Sequence, residues 1–418
     1  MKNRKWKRIL MLLMLTILLN GCGNSSEEES KQLENSESNQ VISLKLWGAG
    51  TDITLLAQMA ESFKAEYADQ ASFDITIEEV LESDCKIKIL NDVNATADVF
   101  AFADDQLMEL AGAGVIKKIE NYESIATANS KGSVEGASIQ EELYAYPMTA
   151  DNGYFMYYNK KYFSEEDVKT LDNMLSVAAK AGKKVTMDWT SGWYLYSFFG
   201  NTGLTLNLNY DGITNSCDWN STTNDIKGVD VGNAMLAIAK NKGFLSAGDD
   251  GLVKGAKDGT VIAGVSGIWL ANSLEEIWKE DYAAVKLPTY TCAGKQVQMS
   301  SFTGYKLVGV NAYSKEKEWA AKLAEWITNE ENQKLRFRER GQGPSNINAA
   351  NSVEVQESLA IQAVIAQSDY GKLQRIGNNY WQPISDFGQQ LVNKKISSKN
   401  MQAAMDKMVK GITTTITG

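Results

Sequence analysis

The sequence contains no histidine among its 418 residues. Without an imidazole the chain can build neither a Ser-His-Asp triad nor a histidine-ligated metal site, and it cannot use histidine to sense pH. Cysteine is nearly as scarce, because there are four in the whole chain and none lies in a CxxC motif. We therefore expect no metal site and no cofactor.

Three of the cysteines, Cys85, Cys217 and Cys292, are scattered over the body of the chain. This spacing forms neither a zinc knuckle nor the framework of a disulfide-rich fold. It leaves room for a single disulfide, and free buried thiols fit it at least as well.

The first residues have the pattern of an export signal. Five basic residues precede an apolar stretch at 9–19, which is far shorter than the roughly 20 apolar residues that span a bilayer. The sequence LNGC at 19–22 resembles a lipobox, in which a small residue precedes the cysteine that receives lipid. We predict a lipoprotein signal peptide at residues 1–21 and lipidation of Cys22. The alternative is an ordinary secretory signal that happens to contain a cysteine.

The segment after the lipobox is rich in Ser, Glu and Asn and has no apolar periodicity. Because it cannot bury enough surface to offset its chain entropy, we predict a lipidated cysteine and disordered tether at residues 22–40. Removal of residues 1–21 takes away five basic residues and no acidic ones, so the formal charge moves from −10 to −15. A body this acidic argues against nucleic acid or an anionic membrane face as a partner.

The body begins with a pattern typical of an α/β sheet. Residues 42–46 alternate between apolar and polar, 53–67 have apolar residues at helical spacing, and the run ADVFAF at 97–102 has the pattern of a further strand. Strands that alternate with helices indicate a sheet flanked by helices, and ligands of such sheets bind beyond the carboxyl ends of the strands. The loops at 48–52 and 103–106 are therefore candidate walls of a site.

Two later segments, 316–329 and 401–412, have the apolar stripe of amphipathic helices. The signatures GxxxxGK[ST], GxSxG and HExxH are all absent. Asp104 and Asp105 could serve a glycosidase, which needs two carboxyl groups across a cleft, but acidic doublets are usually solvated surface. We expect that the protein is not an enzyme.

Aromatic residues are abundant, with 10 Trp and 17 Tyr. The C–H faces of pyranose rings pack flat on aromatic side chains, while their hydroxyl groups bind carboxylates and amides. Any single large ring is more often a core residue, so only rings near strand ends or interlobe turns are candidates for binding.

Several segments follow one another along the chain in a distinctive order: LKLW at 44–47, ADVFAFADDQ at 97–106, YAYPMTAD at 144–151, AGVSGIW at 263–269, TNEENQ at 328–333 and GQGPSN at 341–346. With these segments in collinear order, the chain resembles the extracellular solute-binding proteins of carbohydrate ABC importers, in particular the maltose/maltodextrin-binding branch.

The resemblance implies a two-lobed clamshell of the periplasmic-binding-protein type II, in which each lobe is a mixed sheet flanked by helices. The N-terminal lobe would comprise 41–147 plus 302–346, and the C-terminal lobe 150–298 plus 349–418. The hinge would consist of the chain crossovers between these segments.

The resemblance also implies a set of substrate-binding residues: Asp105, Asp151, Trp193 and Trp269, with Asp52 and Trp47 as further candidates. The family places another tryptophan after a Ser-x-Phe pattern, but Gly388 follows Phe387 here. We expect Trp381 to substitute for it. The alternative for each tryptophan is core packing, and for each aspartate it is plain surface.

The implied function is capture of maltose or maltodextrin between the lobes and its delivery to a two-subunit ABC permease and its ATPase. The protein would be a monomer, lipid-anchored on the extracellular face of the cell membrane. The alternatives are a receptor for a xylo- or galacto-oligosaccharide, a glycan sensor or adhesin, and a glycan-degrading surface enzyme.

Overall fold

A computed structural model of the protein describes residues 41–414. The predicted signal peptide at 1–21, the lipidation site Cys22 and the tether at 22–40 lie outside the described residues. Within residues 41–414, no helix has the length and apolar character needed to cross a bilayer.

The strands of the described chain are β1 (Val41–Gly48), β2 (Ser72–Glu79), β3 (Val99–Ala103), β4 (Ser138–Ile139), β5 (Glu142–Leu143), β6 (Tyr146–Gly153), β7 (Phe155–Asn159), β8 (Lys184–Met187), β9 (Leu206–Leu208), β10 (Asn215–Cys217), β11 (Phe244–Ser246), β12 (Val261–Ser266), β13 (Tyr282–Val285), β14 (Thr289–Cys292), β15 (Lys295–Gln298), β16 (Ser301–Val310) and β17 (Gly371–Leu373).

The helices are α1 (Ile53–Glu66), α2 (Cys85–Asn91), α3 (Leu107–Gly112), α4 (Tyr122–Ala128), α5 (Lys131–Gly136), α6 (Leu171–Lys180), α7 (Gly192–Leu195), α8 (Gly228–Lys240), α9 (Asp249–Asp258), α10 (Ala271–Trp278), α11 (Lys317–Ile327), α12 (Glu330–Arg340), α13 (Ile347–Ala350), α14 (Val353–Gln356), α15 (Leu359–Ser368), α16 (Trp381–Val392) and α17 (Met401–Ile412).

The first sheet has the strand order β17-β16-β3-β1-β2, and β6 also pairs with β16. β1 runs parallel to β2 and β3, whereas β16 runs antiparallel to β3 and β6. The carboxyl ends of β1, β3 and β6 therefore lie at one edge of this sheet, where β16 begins. Short helical turns at Gly50–Asp52 and Asp104–Gln106 follow β1 and β3 at that edge.

The second sheet has the order β11-β8-β12-β7-β13. β8 runs parallel to β11 and β12, and β7 runs antiparallel to β12 and β13. Every residue of β7 and β12 is buried, as expected for strands covered by helices on both faces. The predicted α/β class with two mixed sheets is confirmed.

Separate hydrophobic cores surround the two sheets. One core draws on residues 42–148 and 305–327, and the main core of the second lobe draws on 154–302 and 380–412. The chain thus passes from one core to the other near 148–154 and again near 302–305, close to the predicted crossovers. β17 adds to the first sheet although it lies in the segment assigned to the C-terminal lobe, and the full lobe division remains a prediction.

A buried ion cluster fastens the turn after β1 to α12. The guanidinium of Arg336, whose side chain is 1% exposed, pairs with Asp52 Oδ2, and Arg340 Nε donates to Asp52 Oδ1 at 2.9 Å. Burial favours a higher pKa for Asp52, but the charges of Arg336 and Lys306 and the hydrogen bonds from both arginines outweigh it and lower the pKa. The carboxylate is therefore a structural anchor for this turn.

We predict that Asp52→Ala lowers the free energy of unfolding by about 3–5 kcal/mol, because it leaves the buried Arg336 charge uncompensated. Urea unfolding of the purified body measures this loss. Glu142→Ala is the matched control, since it breaks an exposed pair with Lys118 and should leave the urea midpoint nearly unchanged. Equal midpoints for the two variants would contradict the anchoring role.

Candidate ligand-binding site

The carboxyl edges of the two sheets lie next to each other where one residue, Tyr154, joins β6 to β7. β6 ends at Gly153 and β7 begins at Phe155, so at this crossover Tyr154 is the single residue between a strand of the first sheet and a strand of the second. Its buried hydroxyl accepts the Phe302 N–H at 3.3 Å and donates to the Trp193 carbonyl oxygen at 2.8 Å. Backbone groups of β16 and α7 therefore meet at the Tyr154 hydroxyl.

Two of the predicted rings, Trp193 and Trp269, lie together at the edge of the second sheet. Trp193 belongs to α7 after β8, and Trp269 follows β12, which is parallel to β8. Their ring centroids are 5.9 Å apart and the planes differ by 32°. Trp193 is half-buried, whereas Trp269 is 46% exposed. This pair offers an accessible aromatic surface at the place where the two sheets meet.

Trp381, the predicted substitute ring, begins α16 and is half-buried. α16 packs on α7, because Gly192 donates its N–H to Ser385 Oγ at 3.0 Å and accepts from the Tyr380 hydroxyl at 2.8 Å. The ring of Trp381 lies 6.1 Å from that of Phe302, the residue bonded to Tyr154. The three predicted aromatic residues thus occupy neighbouring elements of the second lobe.

Asp104 and Asp105 lie at the facing edge of the first sheet. Asp105 is exposed, whereas Asp104 is only 2% exposed. Asp104 Oδ1 accepts the Tyr305 N–H at 2.8 Å, and its Oδ2 has no hydrogen-bond partner among residues 41–414. Phe302 and Tyr305 are three residues apart on β16, which is roughly 10 Å of extended strand. The aspartate pair therefore lies within a short distance of the Tyr154 junction.

Burial raises the pKa of Asp104 to about 7, and the neighbouring Asp105 charge adds to the rise, while the Tyr305 N–H and the charge of Arg375 oppose it. Arg375 also donates to the carbonyl oxygen of Gly136 at 2.7 Å. Sequence reasoning missed Arg375, because no local pattern marks a residue that comes from the C-terminal part of the chain and reaches the first lobe.

Asp151 lies near the end of β6, at the same edge, and is buried. Its Oδ2 accepts the Gly343 N–H at 2.7 Å. Burial raises the pKa of Asp151, and the nearby Lys306 charge opposes that rise. In this conformation the carboxylate holds the 341–346 segment against β6, so its contact with ligand stays a prediction.

The two remaining candidates face inward. Both oxygens of Asp52 bond to arginines, as described above. Trp47 is buried, its Nε1–H donates to Glu78 Oε2 at 2.8 Å, and the Lys88 ammonium lies 4.5 Å from its ring centre. Asp52 and Trp47 therefore stabilise the interior of the first lobe. Trp193, Trp269 and Trp381 lie on neighbouring elements of the second lobe, and Asp105 follows β3 at the carboxyl edge of the first sheet.

The described cysteines are free thiols. Burial raises the pKa to about 12 for Cys85 and Cys217 and to about 11 for Cys292, so all three are protonated and unreactive at neutral pH. In the part of the chain that the structure describes, no cluster of acidic or cysteine side chains could hold a metal ion.

We predict that the stability of Asp104→Asn, measured relative to the wild type at the same pH, increases as the pH rises from about 4 to 7. The native state keeps a proton on Asp104 in this range that the unfolded chain releases, so the wild type loses stability with increasing pH, by at most about 1.4 kcal/mol for each pH unit. The asparagine keeps the Oδ1 acceptor for Tyr305 and does not titrate.

Urea unfolding at several pH values measures this difference between the variant and the wild type. Asp250→Asn, at an exposed position, is the control. Parallel stability profiles for the wild type and Asp104→Asn would refute the buried titration.

Comparisons with known proteins find several relatives of the chain. The family model for bacterial extracellular solute-binding proteins matches residues 58–363. The chain is 26% identical to the galactooligosaccharide-binding protein of Bacillus subtilis (strain 168) over 304 residues, which is 66% of either chain. It is 22% identical to the maltooligosaccharide ABC transporter solute-binding lipoprotein of Streptococcus pneumoniae over 377 residues, 85% of this chain and 83% of that relative.

Among solved structures, the maltodextrin-binding protein MalE1 from L. casei BL23, solved without ligand, superposes with a TM-score of 0.79 at 25% identity. The match covers 90% of this chain and 100% of that one. The predicted two-lobed clamshell is therefore confirmed. With the family model matching well over half of its length, the chain belongs to the bacterial extracellular solute-binding proteins.

Proposed function

We propose that the protein captures an α-1,4-linked malto-oligosaccharide between its lobes and delivers it to the permease of an ABC importer. The observation that carries this proposal is the pairing of the Trp193 and Trp269 rings at the one-residue junction between the two sheets. The names of the Streptococcus pneumoniae relative and of the L. casei structure support the choice of sugar.

The chemistry of the junction suits a pyranose chain. Aromatic faces on the second lobe would pack against the C–H faces of the sugar, and Asp105 on the first lobe would accept its hydroxyl hydrogens. Micromolar affinity corresponds to about −8 kcal/mol, which stacked rings together with satisfied hydroxyl groups can supply. Asp151 would contribute from the crossover wall.

Closure of the lobes is expected because the aromatic rings lie on the second lobe and Asp105 lies on the first. The ligand would contact the rings first and then favour the conformation in which Asp105 also reaches it. The closed form would dock on a two-subunit permease with its ATPase. We infer that a monomeric receptor of this kind carries out no catalysis.

Attachment to the membrane would rest on the N-terminal segment alone. The Streptococcus pneumoniae relative is named a lipoprotein, and LNGC at 19–22 is the matching feature of this chain. Removal of residues 1–21 and lipidation of Cys22 would hold the body at the extracellular face of the cell membrane, with 22–40 as a tether.

A galacto-oligosaccharide is the second candidate ligand. It is favoured by the name of the Bacillus subtilis relative, which is 26% identical over 66% of this chain. The same aromatic faces accept galactose and glucose residues, so the identity of the sugar depends on the hydroxyl contacts.

We predict that the mature body binds maltotriose in isothermal titration calorimetry and that Trp269→Ala weakens binding at least tenfold, or by about 1.4 kcal/mol. The reason is loss of one exposed stacking face. Tyr313→Ala is the control, since Tyr313 is exposed beyond the opposite end of β16.

A panel of α-1,4-, α-1,6- and β-linked oligosaccharides in the same experiment separates the two candidate sugars. Tighter binding of a galacto-oligosaccharide would replace the malto-oligosaccharide assignment. No binding by any member would reject the carbohydrate function itself.

For the anchor, we predict that Cys22→Ala moves the full-length protein from the membrane fraction to the culture medium of a Gram-positive host. Without the cysteine thiol no lipid can be attached, and within residues 41–414 no helix is long and apolar enough to cross a bilayer. Fractionation with immunoblotting measures the shift, and Ser25→Ala in the tether is the control. Retention of the Cys22→Ala protein in the membrane fraction would rule out lipidation as the anchor.

A further inference from the structure

The exposed ring of Trp269 is held by an acidic residue from another element. Asp249, the first residue of α9, accepts the Trp269 Nε1–H at Oδ2 with a distance of 2.7 Å. Its Oδ1 accepts the hydroxyl of Ser266, the fully buried last residue of β12, at 2.6 Å. One carboxylate thus bonds both to the last residue of β12 and to the indole of the turn that follows it.

The turn itself is shaped to let the ring fold back. A Cβ atom at Gly267 would lie 2.1 Å from Cη2 and Cζ3 of Trp269, so only glycine allows this ring position. The Gly267 carbonyl oxygen accepts the hydroxyl of the buried Tyr157 at 2.9 Å. The backbone under the ring is therefore fixed. The orientation of the indole ring then depends on the hydrogen bond from its Nε1–H to Asp249.

The two rings of the pair are fixed in different ways. Trp193 is packed edge to face against the buried Tyr154, with 4.5 Å between the ring centroids. Trp269 is nearly half exposed, and an exposed side chain loses rotational freedom when a ligand stacks on it. A hydrogen bond to a charged acceptor, stronger than a neutral one, removes much of that freedom in advance.

We propose that Asp249 is a positioning residue that holds the Trp269 ring beside Trp193, so that sugar affinity depends on a carboxylate that acts through the indole. This inference rests on the proposed carbohydrate function, which it deepens. Sequence reasoning passed over Asp249, because an acidic pair at the start of a helix is common for electrostatic reasons alone.

The test compares Asp249→Ala with Asp249→Asn by calorimetry with maltotriose. The alanine variant should bind about tenfold more weakly, whereas the asparagine variant keeps an oxygen for the indole N–H and should recover most of the affinity. Asp250→Ala is the matched control, because it removes a neighbouring charge from the same helical turn and should bind like the wild type. Wild-type affinity in Asp249→Ala would overturn the proposal.

A double-mutant cycle separates positioning from a general structural effect. Trp269→Phe has no N–H for Asp249 to accept, so Asp249→Ala in that background should cause little further loss. An equal tenfold loss in both backgrounds would overturn the proposal, because it would mean that Asp249 acts without the indole.

Circular dichroism gives a readout that needs no sugar. Two indoles 5.9 Å apart should give an exciton signal that Asp249→Ala reduces while the far-ultraviolet helical signal is kept. If no sugar binds the wild type, the proposed function fails, and this spectrum still decides whether Asp249 orients the ring. An unchanged exciton signal in a folded Asp249→Ala protein would refute the positioning role.

Discussion

The link of one residue between β6 and β7 constrains the whole candidate site. Because Tyr154 alone separates the two strands, the carboxyl edge of the first sheet must lie next to that of the second. The buried Tyr154 hydroxyl then bonds to Phe302 at the start of β16 and to Trp193 in α7. A longer connection would let the two edges separate. With this one, acids of one lobe and rings of the other are held near the same point.

Local patterns in the sequence predicted the elements well where periodicity or chain order determines them. The helix expected at 401–412 is found at Met401–Ile412, and the loops expected at 48–52 and 103–106 contain the short turns after β1 and β3. The helix expected at 53–67 is found at Ile53–Glu66, and its buried side includes Leu55 and Met59, whereas Ala57, an apolar residue of the same segment, is exposed. Spacing alone does not determine which of several apolar helix positions become buried, because tertiary packing decides which face of the helix meets the core.

Long-range contacts explain what the sequence could not reveal. Arg336 and Arg340 meet Asp52 across more than 280 residues of chain, and only the folded arrangement identifies that carboxylate as an anchor. The same holds for Asp249 and Trp269, which lie on different elements and meet only because β12 brings its final turn against the start of α9. A pattern of residue types can nominate an aspartate, but its partners determine what the aspartate does.

Four aspartates at one sheet edge have different roles, because each has different hydrogen-bond and ion-pair partners. Asp52 is held ionised by arginines, Asp151 is occupied by a backbone N–H, and Asp104 is buried with one oxygen unpartnered among the described residues. Asp105 alone is exposed. Burying a carboxylate without compensation is costly, so the first three are suited to fixing the edge, and Asp105 is the one free to exchange water for a sugar hydroxyl. The rings of the other lobe are already fixed by Tyr154 and Asp249. In the proposed function, therefore, little ordering remains to be done when ligand arrives, and closure needs to add only the contacts of the first lobe.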